Sequence, residues 1–293
     1  MMDINRRPVA CTVAGSDSGG GAGVQADLLS FAACGVHGAS VVTAVTAQDT
    51  SAVHAIEAVS LEMVARQIDA VALDLAPAAW KTGMLPTAEI VAVVAQRLEM
   101  HGAERVVVDP VLRATSGASL TAGAALVTLR DALLPLALVA TPNLPEAAAL
   151  SGLPVATPDE VRQAARAIAA MGPAVVVITG GHADGGGASG AVVTDLVLDT
   201  RGGGPGSFVE LTHPRVPGPD RHGTGCSFSA ALAAFLARGA DPVDAAASAS
   251  AFVAALLARG PSGVGGGHQP LVHVDPAAAA PLLSAPHPPA PVR

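Results

Sequence analysis

Short, almost uninterrupted apolar runs recur along this chain, and they limit its fold more than any other feature. Val106-Val107-Val108 and Val175-Val176-Val177-Ile178 leave no polar position for water on either side. A strand of that kind has to be covered on both faces, which is the situation of a parallel sheet between helices. Runs of similar character occupy residues 9–14, 39–46, 79–82, 105–108, 136–140, 174–179 and 191–198. Segments of helical periodicity fill 23–34, 61–73, 87–101, 123–133, 158–171, 225–238 and 242–259. The alternation predicts a doubly wound α/β fold. Ligands of such sheets sit beyond the carboxyl ends of the strands. The residues with chemistry to offer stand there: Asp17, Gln48, Asp109, Asn143 and Gly180-Gly181-His182.

With 293 residues, 51% of them hydrophobic, the chain can bury one large α/β core. No repeat or linker divides it. We read 1–275 as a single domain and 276–293 as an Ala/Pro-rich tail, its last eight residues disordered. Two glycine-rich pieces, 184–190 and 201–207, read as exposed loops of a hairpin-like insertion, and 214–220 as a loop before the next helix. A net charge of −8 without a basic run argues against nucleic acid or an anionic membrane as partner. With no Tyr and only Trp80, the chain also lacks a base-stacking platform. Three cysteines without CxxC spacing give neither a disulfide framework nor a zinc site. Arg6 and Arg7 precede an apolar stretch too short for a signal peptide, and the uncharged run 245–258 is too short to span a bilayer. The expectation is a soluble cytoplasmic protein.

Two glycine turns carry most of the chemistry. The first, Gly15 to Gly23, follows an apolar strand and opens a helix, so its N–H groups and the helix dipole favour an anion. Asp17 lies in the turn and Asp27 near the start of the helix. A bare pyrophosphate would not tolerate those carboxylates, whereas a neutral hydroxylated substrate beside a metal-bound phosphate would. Residues 21–26 fit the GxGxxA pattern of dinucleotide binding, with Asp49 as acidic partner, but the pattern alone is weak and Asp17 would crowd the cofactor phosphates.

The second turn, Arg221 to Ser227, opens an apolar helix with Cys226 in its first turn. A thiol there is expected to have a lowered pKa and to accept a proton from an attacking hydroxyl; inert packing is the alternative. In Thr141-Pro142-Asn143-Leu144-Pro145-Glu146, Asn143 and Glu146 share one face of a helix start. They suit Mg²⁺ through oxygen or water ligands, or a helix cap. Asp109 is either a loop acid or part of the same metal–phosphate site. The single lysine, Lys81, is not in a GK[ST] sequence, which excludes a Walker A loop.

Taken in order, residues 14–27, 45–50, 81–85, 109–111, 141–146, 180–182 and 222–227 resemble the hydroxymethylpyrimidine/phosphomethylpyrimidine kinases of thiamine biosynthesis, in the ribokinase-like superfamily. The likeness runs from about residue 9 to 273. It implies a three-layer α/β/α sandwich with a mostly parallel central sheet. It also implies ATP- and Mg²⁺-dependent phosphorylation of 4-amino-5-hydroxymethyl-2-methylpyrimidine, then of its monophosphate. By this resemblance Gln48 reads the ring nitrogen and amino group, and Asp17, Ala22, Asp27 and Met84 line the substrate pocket. Cys226 takes the catalytic-base position, and the backbone of Gly223, Thr224 and Gly225 stabilises the transferring phosphoryl group. Asn143, Thr179, Gly181 and Thr224 face ATP, Glu146 and Asp109 serve Mg²⁺, and the enzyme is a homodimer. Three departures stand out: Thr179 where many relatives have Lys, Thr46 where a more apolar residue is common, and Gly265 to Pro270, which only partly matches Gly-His-Gly-Pro. A pyridoxal kinase, or one accepting both rings, is the nearest alternative; a non-catalytic pyrimidine- or nucleotide-binding protein is the alternative from another class.

Overall fold

A computed structural model describes residues 7–112, 123–180, 192–218 and 221–274. The strands are β1 (Val9–Ser16), β2 (His37–Gln48), β3 (Val53–Ala58), β4 (Ala79–Thr82), β5 (Val106–Val108), β6 (Val139–Ala140), β7 (Val175–Ile178), β8 (Val192–Asp199) and β9 (Ser207–Pro214). They form one sheet in the order β3-β2-β1-β4-β5-β6-β7-β8-β9. From β2 to β7 all neighbours are parallel, while β3 at one edge and β8 and β9 at the other pair antiparallel. After β1 the chain steps to β2 on one side and later to β4 on the other. That reversal makes the carboxyl end of β1 the place where a crevice opens.

Among the described residues eight α-helices cover the sheet: α1 (Gly23–Ala33), α2 (Leu61–Asp74), α3 (Ala88–Met100), α4 (Ala124–Thr128), α5 (Leu144–Ser151), α6 (Pro158–Ala169), α7 (Thr224–Ala237) and α8 (Pro242–Ala258). The apolar strands alternate their side chains between two cores, as a period of two requires. Val13, Val106, Val108, Val176 and Ile178 pack with Ile68, Leu98 and Ile168 from α2, α3 and α6. Ala10, Val107, Val175 and Val177 pack with Phe31, Leu232 and Val253 from α1, α7 and α8. Because both faces are covered, the central strands are mostly apolar and their few polar side chains, such as Thr12 and Lys81, are buried; the result is the three-layer α/β/α sandwich that the resemblance implied.

The chain departs from the sequence expectation at the edges. β3 and β9 lie on the rim with most of their residues exposed or half-buried, so they carry polar side chains and give no apolar run. The helix expected over 123–133 is broken into α4, a wide turn over Leu129–Leu133 and a tight 3₁₀ turn over Leu134–Leu136. Pro135 lacks an amide hydrogen and so cannot continue the helical ladder. β6 consequently starts late and keeps two residues of the five expected. Of the 201–207 piece, residues 201–206 lie in the turn between β8 and β9, and Ser207 already opens β9. The expectations for 184–190 and 276–293 fall outside the described residues.

Candidate active site

Five of the helices begin with a side-chain cap: Ser60, Thr87, Asn143, Thr157 and Asp241 each accept from an amide of the first turn. The two that begin at the glycine turns, α1 and α7, have none. In the first turn Asp17 binds amides of the loop that leads into α1, up to its N-cap Ala22. Its Oδ1 accepts from the Gly19 amide at 2.8 Å, and its Oδ2 from Gly21 at 3.0 Å and Ala22 at 2.8 Å. His222 Nε2 lies 2.8 Å from the same Oδ2. Burial pushes the Asp17 carboxyl up, but the His222 hydrogen bond and the amides of Gly19 and Ala22 outweigh it and hold the group below its ordinary value.

Gln48, the last residue of β2, reaches the same place: its amide lies 3.1 Å from His222 Nε2. Ser18 Oγ donates to the Gln48 carbonyl at 2.7 Å and accepts from the Gln48 amide at 2.8 Å, which clips the turn to the strand end. Met84 is buried behind Gly15, and its carbonyl accepts from Thr43 Oγ1 at 2.8 Å. Asp17, Ala22 and Gln48, expected from sequence to share a site, thus meet around His222.

The second turn interlocks with the first. Gly223 has φ +83°, and a Cβ there would fall on the Gly21 carbonyl, so only glycine lets the two turns close on each other. Ser227 is the first residue of α7 whose amide bonds back into the helix, to the Gly223 carbonyl at 2.8 Å. The amides before it have no side-chain cap. Thr224 Oγ1 turns back to the Arg221 carbonyl at 3.0 Å, and Gly225 is exposed. Cys226 accepts a hydrogen bond from the Gly23 amide at the start of α1. Its thiol does not have the lowered pKa expected at a helix start. Burial pushes it up to about 12, the Lys81 ammonium pulls it partly back, and Asp27 and Asp109 push it up again. In the ligand-free protein Cys226 is a thiol.

Beneath the turns lies a charge cluster. Lys81 is fully buried and donates to Asp27 Oδ1 at 3.0 Å and Oδ2 at 2.9 Å; Thr12 Oγ1 donates to Oδ2 at 2.6 Å. Asp27, expected in the substrate pocket, is therefore a buried counter-ion beneath the site. Lys81 Nζ is 3.9 Å from Asp109 Oδ2, which also accepts from Ser229 Oγ on α7 at 2.8 Å. Asn143 and Glu146 form a reciprocal cap: Glu146 Oε2 accepts from the Asn143 amide at 3.0 Å, and Asn143 Oδ1 from the Glu146 amide at 2.9 Å. Glu146 nevertheless has its carboxyl pushed up to about 8, first by burial and then by Asp109. Thr179 pairs with Asn143 across a bridge, and the next amide, Gly180, donates to Asp195 Oδ1 at 2.9 Å. Gly181 lies outside the described residues.

Three residues were legible in the sequence only as parts of motifs. His222 looked like the residue before a glycine turn, Lys81 served only to exclude a P-loop, and Ser229 looked like one of many small residues in an apolar helix. Lys81 had a readable signal: a lone lysine inside an apolar strand has to be paired. The segment Gly265 to Pro270 also finds a place. Gly267 and His268 donate to Thr50 at 3.1 and 2.8 Å, and the Gln269 carbonyl accepts from the His222 amide at 3.1 Å. It straps the β2–β3 turn to the second glycine turn. A separate hollow bounded by Pro77, His101 and Arg105 lies at the amino ends of the strands, away from these groups.

Comparison with known proteins adds the family. Residues 17–272 match the family model described as phosphomethylpyrimidine kinase. The chain is 42% identical over 265 residues to a hydroxymethylpyrimidine/phosphomethylpyrimidine kinase of Bacillus subtilis, covering 90% of this chain and 94% of that one. Among solved structures, a pyridoxal kinase from Staphylococcus aureus in complex with ADP superposes with a TM-score of 0.81 at 32% identity, over 92% of this chain and 94% of that one. A phosphomethylpyrimidine kinase from Clostridium difficile gives 0.74 at 33% identity, over 86% of this chain and all of that one.

Proposed function

The chain belongs to the phosphomethylpyrimidine kinase family and is a phosphotransferase, and from that premise we propose that it transfers phosphate from ATP to 4-amino-5-hydroxymethyl-2-methylpyrimidine and then to the monophosphate. The observation that carries this reading is the junction of the two turns. A side-chain amide able to read a nitrogen ring, Gln48, lies within one hydrogen-bond network of a helix start whose first amides have no side-chain cap. Gln48 offers a donor and an acceptor side by side, the pattern that matches a ring nitrogen next to an amino group. The α7 amides then face the phosphoryl group in transit, where positioning and electrostatics do most of the work.

Cys226, beside those amides, is the residue nearest the role of proton acceptor. As a thiol it cannot act as a standing base, but a loose transition state leaves the substrate hydroxyl proton in place until late, so little base strength is needed. Glu146 and Asp109 fit a divalent cation. They are two buried oxygen donors, burial raising the pKa of both and the Asp109 charge adding to that of Glu146, and the buried Thr82 and Thr141 hydroxyls have no hydrogen-bond partner among the described residues. Mg²⁺, when bound, supplies the charge that offsets these acids and the ATP phosphates. Asn143, Thr179 and Thr224 border the phosphate side in this reading. We also assign a homodimer and a cytoplasmic location on the family resemblance; no helix among the described residues is long and apolar enough to cross a membrane.

A coupled kinase assay with ATP and Mg²⁺ tests the reading, with hydroxymethylpyrimidine, its monophosphate and pyridoxal side by side. Turnover of both pyrimidines and little of pyridoxal supports it. The likeness to the Staphylococcus aureus pyridoxal kinase makes pyridoxal the competing substrate, and a preference for that ring would overturn the substrate assignment while keeping the phosphoryl-transfer site.

A further inference from the structure

The hydrogens around Gln48 can be counted. Asp17 gathers three backbone amides on its oxygens, an environment for a carboxylate rather than a carboxylic acid. His222 Nε2, at 2.8 Å from Asp17 Oδ2, therefore carries a hydrogen and donates it, whatever the state of the other ring nitrogen. A ring nitrogen that donates has no lone pair for an amide N–H, so an NH₂ group there would meet a hydrogen. The end of Gln48 that faces it is the oxygen, which shares the one N–H with Asp17 as its second, longer acceptor.

The other end of the amide gives the same answer. Thr46 Oγ1 has a single hydrogen, directed to the Ser16 carbonyl at 2.8 Å. Toward Gln48, 3.5 Å away, the hydroxyl offers only lone pairs, which suit a donor and not an acceptor. The amide is placed with Nε2 toward His222 and Oε1 toward Thr46. Its two ends have the same shape, so the network decides between them, and both neighbours require the reverse.

We propose that His222 is a specificity-determining positioning residue: together with Thr46 it fixes the Gln48 amide with Oε1 toward His222 and the NH₂ group toward Thr46 and the substrate ring. The proposal rests on the pyrimidine-kinase reading for the identity of that ring. In this orientation the NH₂ group meets a ring nitrogen, and the second lone pair of Oε1 remains for the neighbouring amino group. A free amide would present either end; a fixed one presents a single pattern and penalises rings that lack its complement. Thr46, a departure from the family pattern, then has a physical role as the second constraint on the amide. The Gln269 carbonyl and Pro270 hold His222 in register for this task.

Neutron diffraction from crystals of the perdeuterated, ligand-free protein reads the amide directly. Deuterium on the Gln48 end facing Thr46, and none on the end facing His222, is expected; the opposite arrangement overturns the proposal whatever the protein phosphorylates. The effect on recognition is read by calorimetric binding of hydroxymethylpyrimidine and of its analogue without the 4-amino group. His222→Phe is expected to cut the preference for the aminated ring about tenfold, the worth of roughly one hydrogen bond. His222→Gln, which keeps an N–H near the same point, recovers part of it. In a Gln48→Ala background His222→Phe leaves the preference unchanged. An equal loss of affinity for both rings, or the same loss of preference without Gln48, would reduce His222 to a structural residue. If the wild-type protein binds neither ring, the pyrimidine reading fails, and the neutron map still decides the amide.

Discussion

The two glycine turns build the same element from opposite chemistry. Each opens a helix without a side-chain cap at the N-terminus, so each leaves amides that attract an anion. In the first turn the chain places a carboxylate of its own beside the helix start, because Asp17 takes the loop amides of Gly19 and Gly21 and that of the N-cap Ala22. Neither helix has an acid in its first turn, and the loop before α7 has no hydrogen-bonded counterpart of Asp17 among the described residues. In the proposed reading the first turn is therefore satisfied from within and faces the neutral ring, while the second keeps its pull for phosphate. The GxGxxA pattern at 21–26 is poorly suited to a dinucleotide for this reason: the Gly21 and Ala22 amides are already bonded to Asp17, and its carboxylate would face a pyrophosphate.

The strongest way to break the comparison is to spoil the contact between the turns. Gly223→Ala places a methyl group against the Gly21 carbonyl at φ +83°. We expect a loss of about 4 kcal/mol in stability and at least a hundredfold loss in kcat/KM, read by urea unfolding and the kinase assay. Gly20→Ala is the control within the first turn, since φ is +74° there but a Cβ would meet nothing within 4 Å. It should cost only about 1–2 kcal/mol. Equal effects at the two positions would mean that the interlock has no special weight.

Asp17→Ala sharpens the comparison by making the first turn resemble the second. Three amides and His222 lose their acceptor, and we expect a loss of about 2–4 kcal/mol. The vacated turn should then bind an anion. Sulfate is expected to raise the melting temperature of the variant by more than that of the wild type. No difference in sulfate response would show that the geometry of the turn, without its carboxylate, does not hold an anion.

The layers and the sheet were legible in sequence because buried parallel strands cannot hide: Val106 to Val108 and Val175 to Ile178 admit no other placement. The rim was not legible, since β3 and β9 mix exposed and half-buried positions and so look like loops. The site was legible in residue types and only partly in roles. Asp17 and Gln48 could be placed at strand ends by pattern alone. That Asp27 would turn inward depended on Lys81 arriving from β4, 54 residues away. The rise in the Cys226 pKa had the same origin. A helix start lowers a thiol's pKa in water, but here burial and two neighbouring acids act the other way, and no local sequence pattern carries that information.

The smallest expected effect concerns the acids opposite the second turn. The first turn keeps its carboxylate inside, held down by its hydrogen bonds; beside the second stand Asp109 and Glu146, and the amides of Asn143 and Leu112 that bind Glu146 do not outweigh its burial and the Asp109 charge. Glu146 is pushed from 4.5 up to about 8, by burial first and by Asp109 second. Between those values the folded protein holds a proton that the unfolded chain has released. The contribution of this group to stability is full below about pH 4.5 and is lost as pH rises through about 8. Glu146→Gln should flatten that slope, gaining roughly 1–2 kcal/mol over the wild type on going from pH 5 to pH 9, in urea unfolding without metal. Adding Mg²⁺ at pH 9 should stabilise the wild type more than the variant, because the cation replaces the lost proton at the carboxylate. A slope unchanged by the substitution, together with equal Mg²⁺ effects, would remove Glu146 from the cation site and leave the second turn without its counterpart.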